Sequence, residues 1–249
     1  MKRSRDRFLT THTGSLPRPE DLIRIMFAKE EGIPVEPGAL AARIRAAVAE
    51  IVQRQTAAGI DIVNDGEMSK PSYATYIKDR LNGFGGESQP PPYPDLVPFP
   101  GLHQKVYGDR GRARRKMPGC DAPISVRDRE AVKIDIENLK ASVAGRVEDL
   151  FLSAASPGVV SLFFHNDYYK THEEYLYAIA DAMQYEYETI ASAGLVLQLD
   201  CPDLGLGRHV QFPDLSIEEF RRKARLHVEA LNHAVRNIPP EQMRMHRKR

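Results

Sequence analysis

Four short polar clusters hold the residue types that bind or activate small molecules. They are His12-Thr13-Gly14-Ser15, Asn64-Asp65-Gly66-Glu67, His165-Asn166-Asp167 and Asp200-Cys201-Pro202-Asp203. Each has a plain reading when taken singly. Glu67 fits a solvated loop carboxylate, and Gly14-Ser15 a turn that opens a helix. His165 fits a hydrogen-bonded structural histidine, and Cys201 a small buried hydrophobe rather than a nucleophile. What raises the functional reading is position, because each cluster follows a short apolar run. Four runs ending alike place four clusters at one mouth. His12, His165, Asp167 and Cys201 are a conceivable metal set there, with Asp65 beside them, although converging groups more often bind substrate.

The elements that would position these clusters alternate along the chain. Phe8 to Thr11 is expected as a short strand. Leu40, Ile44, Val48, Ile51 and Val52 recur at helical spacing, and Gly59 follows as a helix-ending residue. Ile60 to Val63 is expected as a buried strand, Glu130 to Val143 as a helix and Val159 to Phe164 as a continuous apolar strand. Thr171 to Ala193 is the clearest helix, with Thr171 and Glu174 as a capping box. Leu195 to Leu199 is the next strand. Ser216 to Arg236 is another helix, capped by Ser216 and Glu219, and a strand starts at Met243. Residues 82–120 interrupt the rhythm as a long irregular insertion loop containing Gln89-Pro90-Pro91-Pro92-Tyr93-Pro94.

Repeated strand–cluster–helix units predict α/β architecture around a parallel sheet, with sites at the carboxyl ends of the strands. About five units and the start of a sixth fit the chain, against the eight of a closed (β/α)8 barrel. The expectation is a single, incomplete TIM-barrel domain over residues 1–249.

Composition excludes several classes. Lys+Arg number 35 and Asp+Glu 34, so no global field favours nucleic acid or an anionic membrane. No apolar run approaches the roughly 18 residues of a membrane span. The two cysteines, Cys120 and Cys201, are not in a CxxC pair and cannot make a disulfide scaffold. A soluble cytoplasmic protein with free thiols is expected. The basic run Arg110, Arg112, Arg114, Arg115 and Lys116 reads as a solvated loop, with a grip on an anionic ligand tail as the alternative.

The wording of the clusters adds a resemblance. Thr10-Thr11-His12-Thr13-Gly14-Ser15-Leu16-Pro17-Arg18-Pro19, Asp61-Ile62-Val63-Asn64-Asp65-Gly66-Glu67, His165-Asn166-Asp167-Tyr168-Tyr169 and Leu197-Gln198-Leu199-Asp200-Cys201-Pro202-Asp203-Leu204 resemble the catalytic domain of cobalamin-independent methionine synthase. The likeness is to the short, single-domain branch, which includes epoxyalkane:coenzyme M transferase-like proteins, and runs from about Phe8 to His246. It implies a (β/α)8 barrel in methionine biosynthesis, with methyl transfer from a folate-type donor to homocysteine or a related thiol. It also implies zinc, which holds the substrate sulfur as the nucleophilic thiolate. By this resemblance Thr13, Gly14 and Ser15 hold the amino-acid carboxylate, and Glu67 and Asp200 hold its ammonium; a carboxylate pair suits a cationic amine. A folate-contacting acid lies six positions past the Asp200 equivalent in the family, where this chain has Leu206.

The resemblance stops at the family's metal site, which begins with His-x-Cys. His246 matches the first ligand, and Lys248 stands where the cysteine belongs. A protonated amine has no lone pair for a metal, and zinc needs three or four protein ligands. The expectation is a transferase truncated at its metal site, impaired or inactive, that does not hold zinc alone. Two alternatives stay open: a non-catalytic binder of an amino acid or thiol, and a coenzyme M transferase-like enzyme. A separately encoded C-terminal piece is a conceivable partner.

Overall fold

The computed structural model describes residues 1–86, 93–107, 117–145 and 147–247. In chain order the elements are α1 (Glu20–Glu30), α2 (Pro37–Ala57), β1 (Ile62–Val63), α3 (Ile77–Arg80), β2 (Leu81–Asn82), α4 (Pro100–Tyr107), β3 (Ser125–Val126), α5 (Ala131–Ser142), β4 (Asp149–Ala155), α6 (Pro157–Phe163), α7 (His172–Ser192), β5 (Val196–Asp200), α8 (Asp203–Val210), α9 (Ile217–Ala234) and β6 (Met243–His246). β1, β4, β5 and β6 form one parallel sheet in that order. Thr11 joins its β1 edge through a parallel bridge to Ile62. β2 and β3 form a separate antiparallel pair. The architecture is the expected α/β partial barrel. No described helix is long and apolar enough to cross a membrane.

Helix boundaries follow local chemistry. α2 starts where Glu36 accepts the Ala39 N–H at 2.6 Å with Pro37 in the first turn. It ends before Gly59, whose φ of +76° is the left-handed value a helix end favours. α9 carries both halves of the Ser216–Glu219 capping box. α7 carries one half: Thr171 accepts from Glu174 N, and the Glu174 carboxylate turns to Lys170 N.

Two expected strands are corrected. The Phe8 to Thr11 strand reduces to the bridge at Thr11, and Phe8 is exposed. The run Val159 to Phe164 is not a strand but most of helix α6. Ser156 accepts the Val159 N–H and Pro157 occupies the first turn, so the chain is committed to a helix before the apolar run begins. Its apolar side chains are buried, apart from the half-buried Phe163, which a helix wedged between layers allows. The strand of this unit is β4, just ahead of it. The expected irregular loop 82–120 contains helix α4 and a 3-10 turn at Pro94–Leu96. Gly86 and Gly119 exchange backbone hydrogen bonds of 3.1 and 2.9 Å and draw its two ends together. The basic run 110–116 lies outside the described residues.

The two faces of the sheet differ. Leu152, Ala154, Leu197 and Leu199 join the main core under the helices. Ile62, Phe151 and Val196, with Leu9, form a small apolar cluster on the inner face. Above it, register aligns Ser153, Gln198 and Arg244 in one row, and Ala155, Asp200 and His246 in the next. The inner face therefore runs from apolar to polar to charged toward the carboxyl ends.

Candidate functional site

Glu67 is presented by an unusual piece of backbone. Gly66 and Glu67 both have left-handed φ, +64° and +58°, and a left-handed glutamate is strained. Side-chain turns hold it there: Gly66 N donates to Asn64 Oδ1 and Glu67 N to Asp65 Oδ1, both at 2.9 Å. Arg18 and Lys70 N both donate to the Glu67 carbonyl. The side chain is 2% exposed, and its Oε2 is buried with no hydrogen-bond partner among the described residues. A buried carboxylate oxygen without a partner is an acceptor waiting for a donor.

Gly14 meets this carboxylate. A Cβ at position 14 would lie 2.7 Å from Glu67 Oε1 and 2.8 Å from Ser153 Oγ. Only glycine lets the 13–15 loop come so close. Gln198 continues the cluster: its Nε2 donates to the Thr13 carbonyl at 2.5 Å and to Asp200 Oδ1 at 2.9 Å. Burial, and then the charge of Glu67, push the Asp200 carboxyl up to about 6. His246 Nδ1 faces Asp200 Oδ1 at 3.3 Å. Thr13 and Ser15 are exposed at the mouth. Thr13, Gly14, Glu67 and Asp200 thus converge, with Ser15 next along the loop.

His12 is fully engaged. Gln55 uses its amide N–H groups on the Ile51 and Asn64 carbonyls, so its Oε1 accepts from His12 Nε2 at 2.8 Å. His12 Nδ1 accepts the Gly14 N–H at 3.2 Å. Both ring nitrogens are spent in the neutral form, and burial lowers the pKa accordingly. His12 shapes the loop and has no lone pair left for a metal.

The weaker candidates scatter. Asp65 is buried beneath Glu67; burial, then the charge of Asp135, push it up to about 6. Cys201 closes β5 as a buried thiol donating to the Leu199 carbonyl, raised to about 12 by burial and then by Asp203. His165 and Asp167 face solvent after α6, 3.3 Å from each other, and their backbone bonds go to Cys120. Their expected place at a strand end is corrected with the strand itself.

Reading the sequence missed four residues of the site: Ser153, Lys70, Gln198 and Arg244. Lys70 Nζ donates to the Ser153 carbonyl at 2.5 Å and lies 4.4 Å from the Tyr76 ring centre. Ser153 and Gln198 were within reach of period-two alternation, Phe151-Ser153-Ala155 and Val196-Gln198-Asp200, once β4 is placed correctly.

The zinc implied by the resemblance does not fit the described residues. No group of three or more His, Cys, Asp or Glu side chains is placed to hold a metal among them. His246 has Asp200 beside it, both thiols are protonated and buried, and Lys248 lies outside the described residues.

No protein-family model matches the chain. Curated relatives are similar to it. A methionine synthase of Sulfolobus acidocaldarius is 27% identical over 194 residues, covering 78% of this chain and 51% of the relative. One of Saccharolobus solfataricus is 24% identical over 233 residues, covering 92% and 59%. The chain thus spans between half and three-fifths of the length of these relatives. Two solved structures share the fold. A B12-independent methionine synthase from Shewanella sp. W3-18-1, in complex with selenomethionine, superposes with a TM-score of 0.66 at 20% identity, over 96% of this chain and 60% of that one. A putative vitamin-B12-independent methionine synthase from Listeria monocytogenes gives 0.64 at 18%, over 96% and 64%. In sequence the chain is similar to curated methionine synthases, and in fold to B12-independent methionine synthases, over the part of their length that it spans.

Proposed function

We propose that the chain forms the amino-acid pocket of a methionine-synthase-like methyltransferase, acting on homocysteine or a related thiol with a folate-type methyl donor. The observation that carries this reading is Glu67 packed against Gly14 with its Oε2 buried and without a hydrogen-bond partner among the described residues, and Asp200 tied to the same loop through Gln198. An α-ammonium supplies the missing donor and balances the two carboxylates. The Thr13-Gly14-Ser15 segment, with Thr13 and Ser15 exposed, takes the carboxylate beside it. The side chain, and with it the sulfur, then points out of the mouth. In the transfer that sulfur gains the methyl group and the donor loses it. The residues here bind and orient the substrate. The solved relative that holds selenomethionine supports an amino-acid ligand of this size. Free thiols and the lack of a membrane-crossing helix among the described residues support a soluble, cytoplasmic protein.

Calorimetry with methionine and homocysteine tests the pocket. Wild type is expected to bind both, and Glu67→Gln and Asp200→Asn to weaken each at least about tenfold, the scale of one charge-assisted hydrogen bond. No binding to wild type overturns the reading. A methyl-transfer assay on the same sample separates transfer from binding alone.

A further inference from the structure

The two ends of the parallel sheet are the Thr11–His12 segment and β6, and a single side chain spans them across the inner face. Arg244 Nε donates to Gln198 Oε1 at 2.8 Å, Nη1 to Thr11 Oγ1 at 3.1 Å and Nη2 to the His12 carbonyl at 3.1 Å. Its guanidinium lies 3.7 Å from the centre of the Phe151 ring in the row below. Three acceptors around one planar cation, with an aromatic face under it, make a site built for arginine.

The consequence passes through Gln198. With Oε1 turned to Arg244, the amide has its Nε2 toward Thr13 and Asp200. Two successive carbonyls, His12 and Thr13, are therefore held by the Arg244–Gln198 pair. Gly14 comes next, packed on Glu67 and Ser153. One guanidinium thus sets the frame that relates the glycine loop to Asp200.

We propose that Arg244 is a positioning residue: through Gln198 and the His12 carbonyl it holds the Thr13-Gly14-Ser15 loop where that loop takes the carboxylate of an α-amino acid. This rests on the amino-acid reading above. Arg244 touches no substrate itself.

The test compares two probes, methionine and 3-(methylthio)propylamine, which keeps the amine and thioether but lacks the carboxylate. In the full chain, Arg244→Met is expected to weaken methionine roughly tenfold or more, the scale of one or two lost hydrogen bonds. The same variant is expected to weaken the amine clearly less than methionine, since the Glu67 contact does not depend on Arg244. Arg244→Lys should fall between, because an ammonium cannot serve a fork of three acceptors. Unchanged methionine affinity in Arg244→Met overturns the proposal. So does equal loss of both probes, which reports a loosened fold. If wild type binds neither probe, the amino-acid reading fails. Amide hydrogen exchange then judges Arg244 separately: faster exchange confined to residues 13–15 in Arg244→Met supports the frame, and unchanged exchange there overturns it.

Discussion

The Glu67 carboxylate occupies the space where a side chain at Gly14 would begin: a Cβ there would lie 2.7 Å from Oε1. The φ of Gly14, +138°, is also one that L side chains rarely adopt. Gly14→Ala is therefore expected to displace the loop or the carboxylate. The cost should be about 1–3 kcal/mol of stability. Thermal unfolding measures the first effect and methionine titration the second; a variant with wild-type values of both removes the close approach from the account.

Glu67 has the opposite relation to its backbone. It is a left-handed glutamate where glycine is the unstrained choice. Glu67→Gly keeps the backbone contacts of Arg18 and Lys70 N and releases the strain. It should be as stable as wild type or up to about 1–2 kcal/mol more so, while losing amino-acid binding. Denaturant unfolding checks this: clear destabilisation would show that the side chain supports the fold rather than the ligand.

Arg80 is buried between Asp135 at 2.5 Å and Glu186 at 2.8 Å, with Tyr76 donating to the second Glu186 oxygen. Burial alone would raise the Glu186 pKa; Arg80, followed by Lys70, carries it below the usual range instead. Arg80→Met leaves two carboxylates buried without their cation. A loss of about 3–5 kcal/mol is expected by denaturant unfolding, and a loss below about 1 kcal/mol would place the pair in contact with water.

A pH dependence follows from His172. Its Nε2 donates to His227 Nε2, and His227 Nδ1 donates to Asp203. Burial, then the charge of His227, lower the His172 pKa to about 4. The unfolded chain titrates near the ordinary value of about 6.5. Between those values the unfolded state binds a proton that the fold does not, so this residue's contribution falls as pH drops from about 6.5 to 4. Asp65 and Asp200, raised to about 6, slope the other way in the same window. The variant His172→Phe isolates the histidine: the stability gap in favour of wild type should narrow from pH 7.5 to pH 5. A gap that stays constant counts against a neutral, buried His172.

How much of this was legible depends on which contacts are local. Thr171, Ser216 and Gly59 announce helix ends because a cap needs only its own turn. Val159 to Phe164 misled because a short, wholly apolar run has no period to distinguish strand from buried helix. Ser156-Pro157, immediately ahead, held the decisive signal. Glu67 and Asp200 were legible through motif wording. Arg244 was not, since its importance comes from partners 46 and more than 200 positions away, Gln198 and Thr11. Only sheet register brings those together.

The mutual hydrogen bonds of Gly86 and Gly119 give the chain a detour with a fixed exit and return. Lengthening such a detour costs only the slow logarithm of loop closure, because its exit and return are already joined. An insertion between the two glycines therefore leaves the ends of the detour in register. For the same reason it is the natural port for grafting a foreign peptide or reporter while the barrel wall stays as it is.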